Sequence, residues 1–261
     1  MKVSKLLKIV NDIVPLEYAF EDDLVGVTIG SEENEVKGII VAHELDRQIL
    51  KYCLDKKINT VISYHPPSFK KILEDDNTES FHPESTTLEF IESSINVISL
   101  HTAQDVCIGG NADTLAELLN LKNITLFAMT NEDFGAGRIG DIESISVSKF
   151  NNLVENKLNT KLIRSNEFFQ KIKEINRIAI LPGSGTQFID EIIEDVDVYI
   201  TGDISHKYLL KADDASIGLL QIGHISSEIP GMKKFVKKLN NALNDDIEYI
   251  YREYYEWTFS S

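Results

Sequence analysis

The chain has 261 residues, enough for one large domain or two smaller ones with a real core, and its 43% hydrophobic and 26% charged content is ordinary for a globular protein. A formal net charge of −16 and a pI near 4.8 argue against general nucleic-acid binding and disfavour docking on anionic lipid, both of which need basic surface. No apolar run approaches the ~18 residues that span a bilayer, the first residues are too polar for a signal peptide, and Cys53 and Cys107 form no CxxC pair, so a soluble protein of the reducing cytoplasm is expected.

Val3, Leu6, Leu7, Val10, Ile13 and Val14 recur at helical spacing, with Pro15 near the end of that helix. Glu21 to Gly30 predicts a turn into a short strand, and Val36 to His43 a buried strand followed by a helix over Asp46 to Lys57. Asn59 to His65 (NTVISYH) is the next strand, stopped by Pro66-Pro67, which cannot continue a ladder. Lys70 to Pro83 is polar and predicts a loop long enough for a flap carrying His82. A helix over Glu84 to Ser94, a strand over Ile95 to His101 and a helix over Asp113 to Leu119 complete an α/β half.

The rhythm breaks at Ala128 to Asp141, rich in Gly and Asp, which is the candidate hinge between α/β domains spanning 1–127 and 128–261; interleaving of the halves is left open. A second alternation follows: strand ESISV, helix Lys149 to Leu158, strands TKLIR and RIAIL, a turn at Gly183 to Gly185, a helix near Phe188 to Glu194 and strand DVYITGD. The run Leu219, Leu220, Ile222 then ends at Gly223-His224, ahead of a helix over Gly231 to Leu243 with Ser226 or Ser227 as cap. Lys233, Lys234, Lys237 and Lys238 fit the solvated face of that helix. The aromatic stretch Ile247 to Phe259 closes the chain as a strand or two, read as core or an oligomer contact. The fold class is therefore two linked α/β domains with mainly parallel sheets.

Three predicted strands end in histidine: His65, His101 and His224. Asp105 and Glu228 follow the last two at the same four-residue spacing. Ligands of α/β sheets bind outside the carboxyl ends of the strands, so these side chains are candidate metal ligands. Imidazole with carboxylate suits Zn, Fe, Mn or Ni rather than Ca or Mg. Five donors exceed the needs of one tetrahedral ion, and a carboxylate can bridge two. Two divalent cations against two carboxylates leave positive charge, which favours a hydroxide at neutral pH, with Glu228 or His101 as the group that moves protons. Asp203 with His206 (D-I-S-H) reads either as a helix cap plus an exposed histidine or as a lining of the site. His43 also ends an apolar run, but Glu44 follows it rather than an acid at the four-residue spacing.

The segments ISYHPPSF, ISLHTAQD-x-x-x-GG-N, RIAILPGSG, DVYITGD and GHISSE-x-PG, in this order over essentially the whole chain, resemble the NIF-three-like family (NGG-one-interacting factor three), whose members often carry the label GTP cyclohydrolase I type 2. The resemblance implies two α/β domains with a dinuclear centre (Fe, Zn or Mn) in the cleft between them, and a homohexamer built from dimers. It places ligands at the Tyr64-His65 pair, Asp105, His224 and Glu228, with His101 at the site as well. Tyr64 departs from the family's His-His pair, and a phenol with pKa near 10 is a poor neutral ligand. His43 is the candidate to compensate. Asp23-Leu24-Val25-Gly26 stands where many members read DN-x-G. The functions implied are a metal-dependent hydrolase of a small nucleotide-like substrate, a metal carrier or insertase for iron or zinc, or an oligomeric scaffold with a structural metal.

Overall fold

The computed structural model describes residues 1–73 and 78–251. In chain order the elements are α1 (Val3–Ile13), β1 (Gly26–Ile29), β2 (Ile39–Ala42), α2 (Arg47–Lys56), β3 (Thr60–Ser63), β4 (Phe69–Leu73), β5 (Glu79–Pro83), α3 (Ser85–Glu92), β6 (Asn96–Ser99) and α4 (His101–Val106). Next come α5 (Asn111–Leu118), β7 (Lys122–Met129), β8 (Gly135–Ser146), α6 (Val147–Leu158), β9 (Arg164–Ser165), β10 (Glu174–Ile180), β11 (Val198–Thr201), α7 (His206–Asp214), β12 (Gly218–Gln221), α8 (His224–Leu243) and β13 (Tyr249–Ile250). They divide into two compact units, residues 1–104 with 235–251, and residues 105–234. The divisions fall inside α4 and α8. No described helix is long and apolar enough to cross a membrane.

The first unit holds a sheet of order β1-β6-β3-β2-β13, parallel except for β1. Its short strands are apolar on both faces, as a doubly covered parallel sheet requires: Ile40, Val41, Val61, Ile62, Val97 and Ile98 are all fully buried. Asp46 starts α2 by accepting from the amides of Gln48 (2.8 Å) and Ile49 (2.9 Å), two of the orphan donors of a helix start. The parallel register sets Ala42 beside Ser63 and Ser63 beside Ser99. Beyond the strands the ladder continues, with the His65 amide donating to His43 (3.0 Å) and the His101 amide to Tyr64 (2.9 Å). In-register parallel strands thus deliver His43, His65 and His101 to one edge of the sheet.

The second unit holds a sheet of order β7-β8-β10-β11-β12-β9. Here the expectation of a mainly parallel sheet is corrected: β10–β11 and β11–β12 are parallel, but β7–β8, β8–β10 and β12–β9 are antiparallel. The stretch expected to be a hinge, Ala128 to Asp141, belongs to the β7–β8 hairpin. Its glycines serve close approach, not bending. A Cβ on Gly137 would lie 2.1 Å from the Phe127 ring, so this position in β8 must stay bare for the ring to lie across it. The strand β7 escaped the sequence because its first five residues are all exposed and carry no alternation. Phe150, Val154 and Leu158 of α6 pack on Ile178, Ile180, Val198 and Leu220 to form this unit's core.

Two further expectations change. The described parts of Lys70 to Pro83 are not open loop: β4 and β5 pair antiparallel, with His82 beside Lys70, and residues 74–77 lie outside the described residues. The helix expected from Gly231 begins seven residues earlier, at His224, and carries Pro230 within it. Ser226 and Ser227 do not cap it forward; their hydroxyls donate back to the carbonyls of Gly223 (3.1 Å) and His224 (2.5 Å). Of the terminal aromatic stretch, Tyr249 and Ile250 form β13 against β2, and residues 252–259 lie outside the described residues.

Candidate metal centre

At the edge of the first sheet, four rings gather. His43, fully buried, stacks on Tyr64 with centroids 4.9 Å apart, and its centroid is 5.2 Å from that of His65. His65 lies 5.6 Å from His101. Ring nitrogens of His43 and His65 come within 4.8 Å of each other, a separation one ion can bridge. Each ring is turned by a partner on Nδ1. Tyr249 Oη holds His43 (2.8 Å), Glu44 holds His65 (2.7 Å) and Asp23 holds His101 (2.6 Å). A carboxylate on Nδ1 fixes the tautomer and makes Nε2 the coordinating nitrogen, which is the way proteins prepare metal-binding imidazoles.

His101 is also strained. The chain turns from β6 into α4 at this residue with φ = 36°, a left-handed value that costs a non-glycine residue about 1–3 kcal/mol. Asp23 holds the turn. Its second oxygen accepts from the Thr102 amide (3.1 Å) and hydroxyl (2.5 Å). Burial alone would raise the Asp23 carboxyl, but the hydrogen bond and charge of His101, with the Thr102 bonds, outweigh it and hold the group below its ordinary 3.8. A carboxyl so depressed contributes stability that is present above 3.8 and is lost as pH falls through its lower folded value. In chelator-treated protein, Asp23→Asn should therefore flatten the acid limb of stability below pH 4, read as denaturation midpoints against pH. An unchanged limb would remove Asp23 from this role.

The second unit carries the other donors. His224 is the first residue of α8 and Glu228 lies one turn on, so both share a helix face, with His224 Nε2 3.1 Å from Glu228 Oε1. His224 Nδ1 bonds Asp203 at 2.7 Å, repeating the pattern of the first unit. Asp203 thus lines the site, whereas His206 stands exposed at the start of α7. Glu228 is 1% exposed. Burial would lower the His224 ring, but its hydrogen bonds to Asp203 and Glu228 and their charges override this and push it up to about 11. The ring is an imidazolium at neutral pH, and an incoming cation would replace its proton. Asp105 is also buried, and its carboxylate accepts from Asn111 Nδ2 at 2.7 Å.

The turn at Gly183 to Gly185 closes over the acid–histidine pair: Gly183 has φ = 63°, and a Cβ there would meet Glu228 Oε1 at 2.5 Å. Its amide donates to Ser227 Oγ (2.9 Å) and its carbonyl accepts from the Gly202 amide (2.8 Å). The donor chemistry fits divalent metal: ring nitrogens oriented through Nδ1, and the buried carboxylates of Asp105 and Glu228. Sequence reasoning passed over Glu44 and Tyr249 as orienting groups and noted Asp23 only as a departure in an acidic turn.

A family model described as Duf34/NIF3 (NGG1p interacting factor 3) matches residues 1–255. A Clostridium perfringens protein named GTP cyclohydrolase 1 type 2 homolog is 27% identical over 254 residues, covering 96% of this chain and 95% of its own. NGG1-interacting factor 3 of Saccharomyces cerevisiae is 24% identical, covering 91% and 90%. The crystal structure of a Staphylococcus aureus hypothetical protein superposes with a TM-score of 0.79 at 25% identity, over 99% of both chains. Matched from its first residue to its 255th, the chain belongs to the Duf34/NIF3 (NGG1p interacting factor 3) family.

Proposed function

We propose that these donors hold divalent metal, two ions in all, and that the chain is a metal-dependent hydrolase of a small nucleotide-like substrate. The observation that carries this reading is the common orientation of four histidines, His43, His65, His101 and His224, each held through Nδ1 by a carboxylate or phenol oxygen. Asp105, His224 and Glu228 are the remaining ligands. Bound ions would supply Lewis acidity at neutral pH. The chain's own residues do the rest. Asp23, Glu44, Asp203 and Tyr249 fix the rings before substrate arrives, so little reorganisation is left for the reaction. Glu228, buried, or His101, with its Asp23 partner, moves the proton between nucleophile and leaving group.

His43 stands in for the ring nitrogen that Tyr64 does not provide, which its stacking on Tyr64 and its approach to His65 support. By elemental analysis, His43→Ala should lose about one of two ions while His82→Ala loses none; unchanged metal content would dispose of this role. The nucleotide substrate rests on the name of the Clostridium perfringens relative. Metal-loaded protein is expected to release product from GTP, and Glu228→Gln to lower turnover by about a hundredfold or more. No turnover of GTP, other nucleotides or phosphoesters would sink the hydrolase reading. Surrender of one ion to a chelator within minutes would then favour a carrier of iron or zinc, a reading that the phenol at position 64 supports.

A further inference from the structure

The second unit contains a cavity of about 620 Å³, walled by the last turn of α6, the 159–161 connection and the first turns of α8. Three lysines are among its lining residues, Lys157, Lys161 and Lys233, against one acid, Glu155. In a chain with 42 acids and 26 lysines and arginines, that local excess of positive charge runs against the whole. Ile225 and Ile229 give an apolar wall. Thr160, 8% exposed, adds a hydroxyl 2.6 Å from that of Ser226. Lys233, read from sequence as part of a solvated face, is exposed and also lines this cavity.

These groups select a ligand. Several ammonium groups around one space suit a dianion better than a carboxylate, and the hydroxyls add neutral hydrogen bonds to its oxygens. The apolar wall needs a ring or hydrocarbon body to cover it. We infer that the cavity formed by α6 and α8 binds a small phosphate monoester with a flat or apolar body, of the nucleoside monophosphate type, and that this ligand adjusts the His224–Glu228 pair.

The coupling is built into α8. At about 100° per residue, His224 and Glu228 fall on one side of the helix, and Ser226, Ile229 and Lys233 on the other. Thr160 and Ser226 also close a ring of hydrogen bonds on Gly223, the residue before His224. The Gly223 amide donates to Thr160 Oγ1 (3.0 Å), Thr160 and Ser226 share their bond, and Ser226 Oγ donates to the Gly223 carbonyl (3.1 Å). A phosphate oxygen that draws on either hydroxyl pulls on the start of α8. Binding stands by itself; the coupling rests on the metal reading given above.

The test titrates chelator-treated, metal-free protein calorimetrically with adenosine monophosphate, inorganic phosphate and adenosine. Adenosine monophosphate is expected to bind, inorganic phosphate about tenfold more weakly, and adenosine not detectably. The double variant Lys157→Glu/Lys233→Glu should lose about tenfold or more in affinity, and His82→Ala none. Should circular dichroism find the double variant unfolded, Lys161→Ala replaces it, with a loss of about threefold expected. No heat at millimolar adenosine monophosphate, affinity unmoved by the lysine variants, or affinity lost in His82→Ala each overturns the site. Equal affinity for inorganic phosphate overturns recognition of the body. With metal, adenosine monophosphate should shift the metal affinity of wild type but not of Thr160→Val; no shift in wild type overturns the coupling. A wild type that takes up no metal defeats the metal reading and leaves the metal-free titration standing.

Discussion

Glu228→Gln is expected to abolish stable metal uptake while leaving the apoprotein folded. The side chain is 1% exposed and its Oε1 lies 3.1 Å from His224 Nε2, so its charge is compensated without metal by the imidazolium. Glutamine keeps the volume and a hydrogen-bonding oxygen, and His224 retains Asp203 on Nδ1. What disappears is an anionic ligand in a buried site. Loss of an orienting partner alone typically costs about 10–100-fold in metal affinity, and loss of a ligand should cost at least about the upper end of that range. The clearest readout is thermal. At a metal concentration about 100 times the wild-type dissociation constant, wild type should gain about 2.7 kcal/mol from binding, and the variant about 0.4 kcal/mol or less. His224→Ala and Asp105→Ala should be depleted alongside it. If Glu228→Gln retained wild-type metal content and the full metal-dependent rise in melting temperature, Glu228 would be no ligand.

What the sequence revealed and what it concealed divide along a physical line. The strand-end histidines were legible because short apolar runs closed by a polar residue announce buried parallel strands, and parallel pairing in register brings their ends together. The H-x-x-x-acid spacing was legible because a helix repeats its face every four residues. The partners that orient the rings were not. Asp23 reaches His101 across 78 residues, and Tyr249 reaches His43 across 206, so no local pattern links them. Glu44 was visible only as an acid in the wrong place for a ligand; its work is on His65, 21 residues away. The β7–β8 hairpin was missed for a different reason. Glycines that admit an aromatic ring to a strand look the same in sequence as glycines that let a chain bend, and only Phe127 lying across Gly137 tells them apart.

The same ambiguity gives the second large effect, at Gly183. Alanine there would meet two costs that can be separated by experiment. The first is backbone strain, since φ = 63° lies in the left-handed region and costs a non-glycine residue about 1–2 kcal/mol. The second is collision: the new methyl would stand 2.5 Å from Glu228 Oε1 and 3.4 Å from His224 Nε2. A carboxylate end can often swing aside, but this one is buried and tied to His224, so it must either break that bond or push the 183–185 turn away. The total expected is about 2–4 kcal/mol of lost stability, together with loss of metal. Gly26→Ala provides the comparison. Its φ of 85° imposes the strain, but its nearest contact, Leu16 Cδ1 at 3.9 Å, imposes no collision. Gly26→Ala should therefore be destabilised by the strain alone and keep its metal, whereas Gly183→Ala should lose both. Equal metal content in the two variants would mean that the turn does not press on the acid–histidine pair, and Gly183 would be left as an ordinary left-handed turn residue.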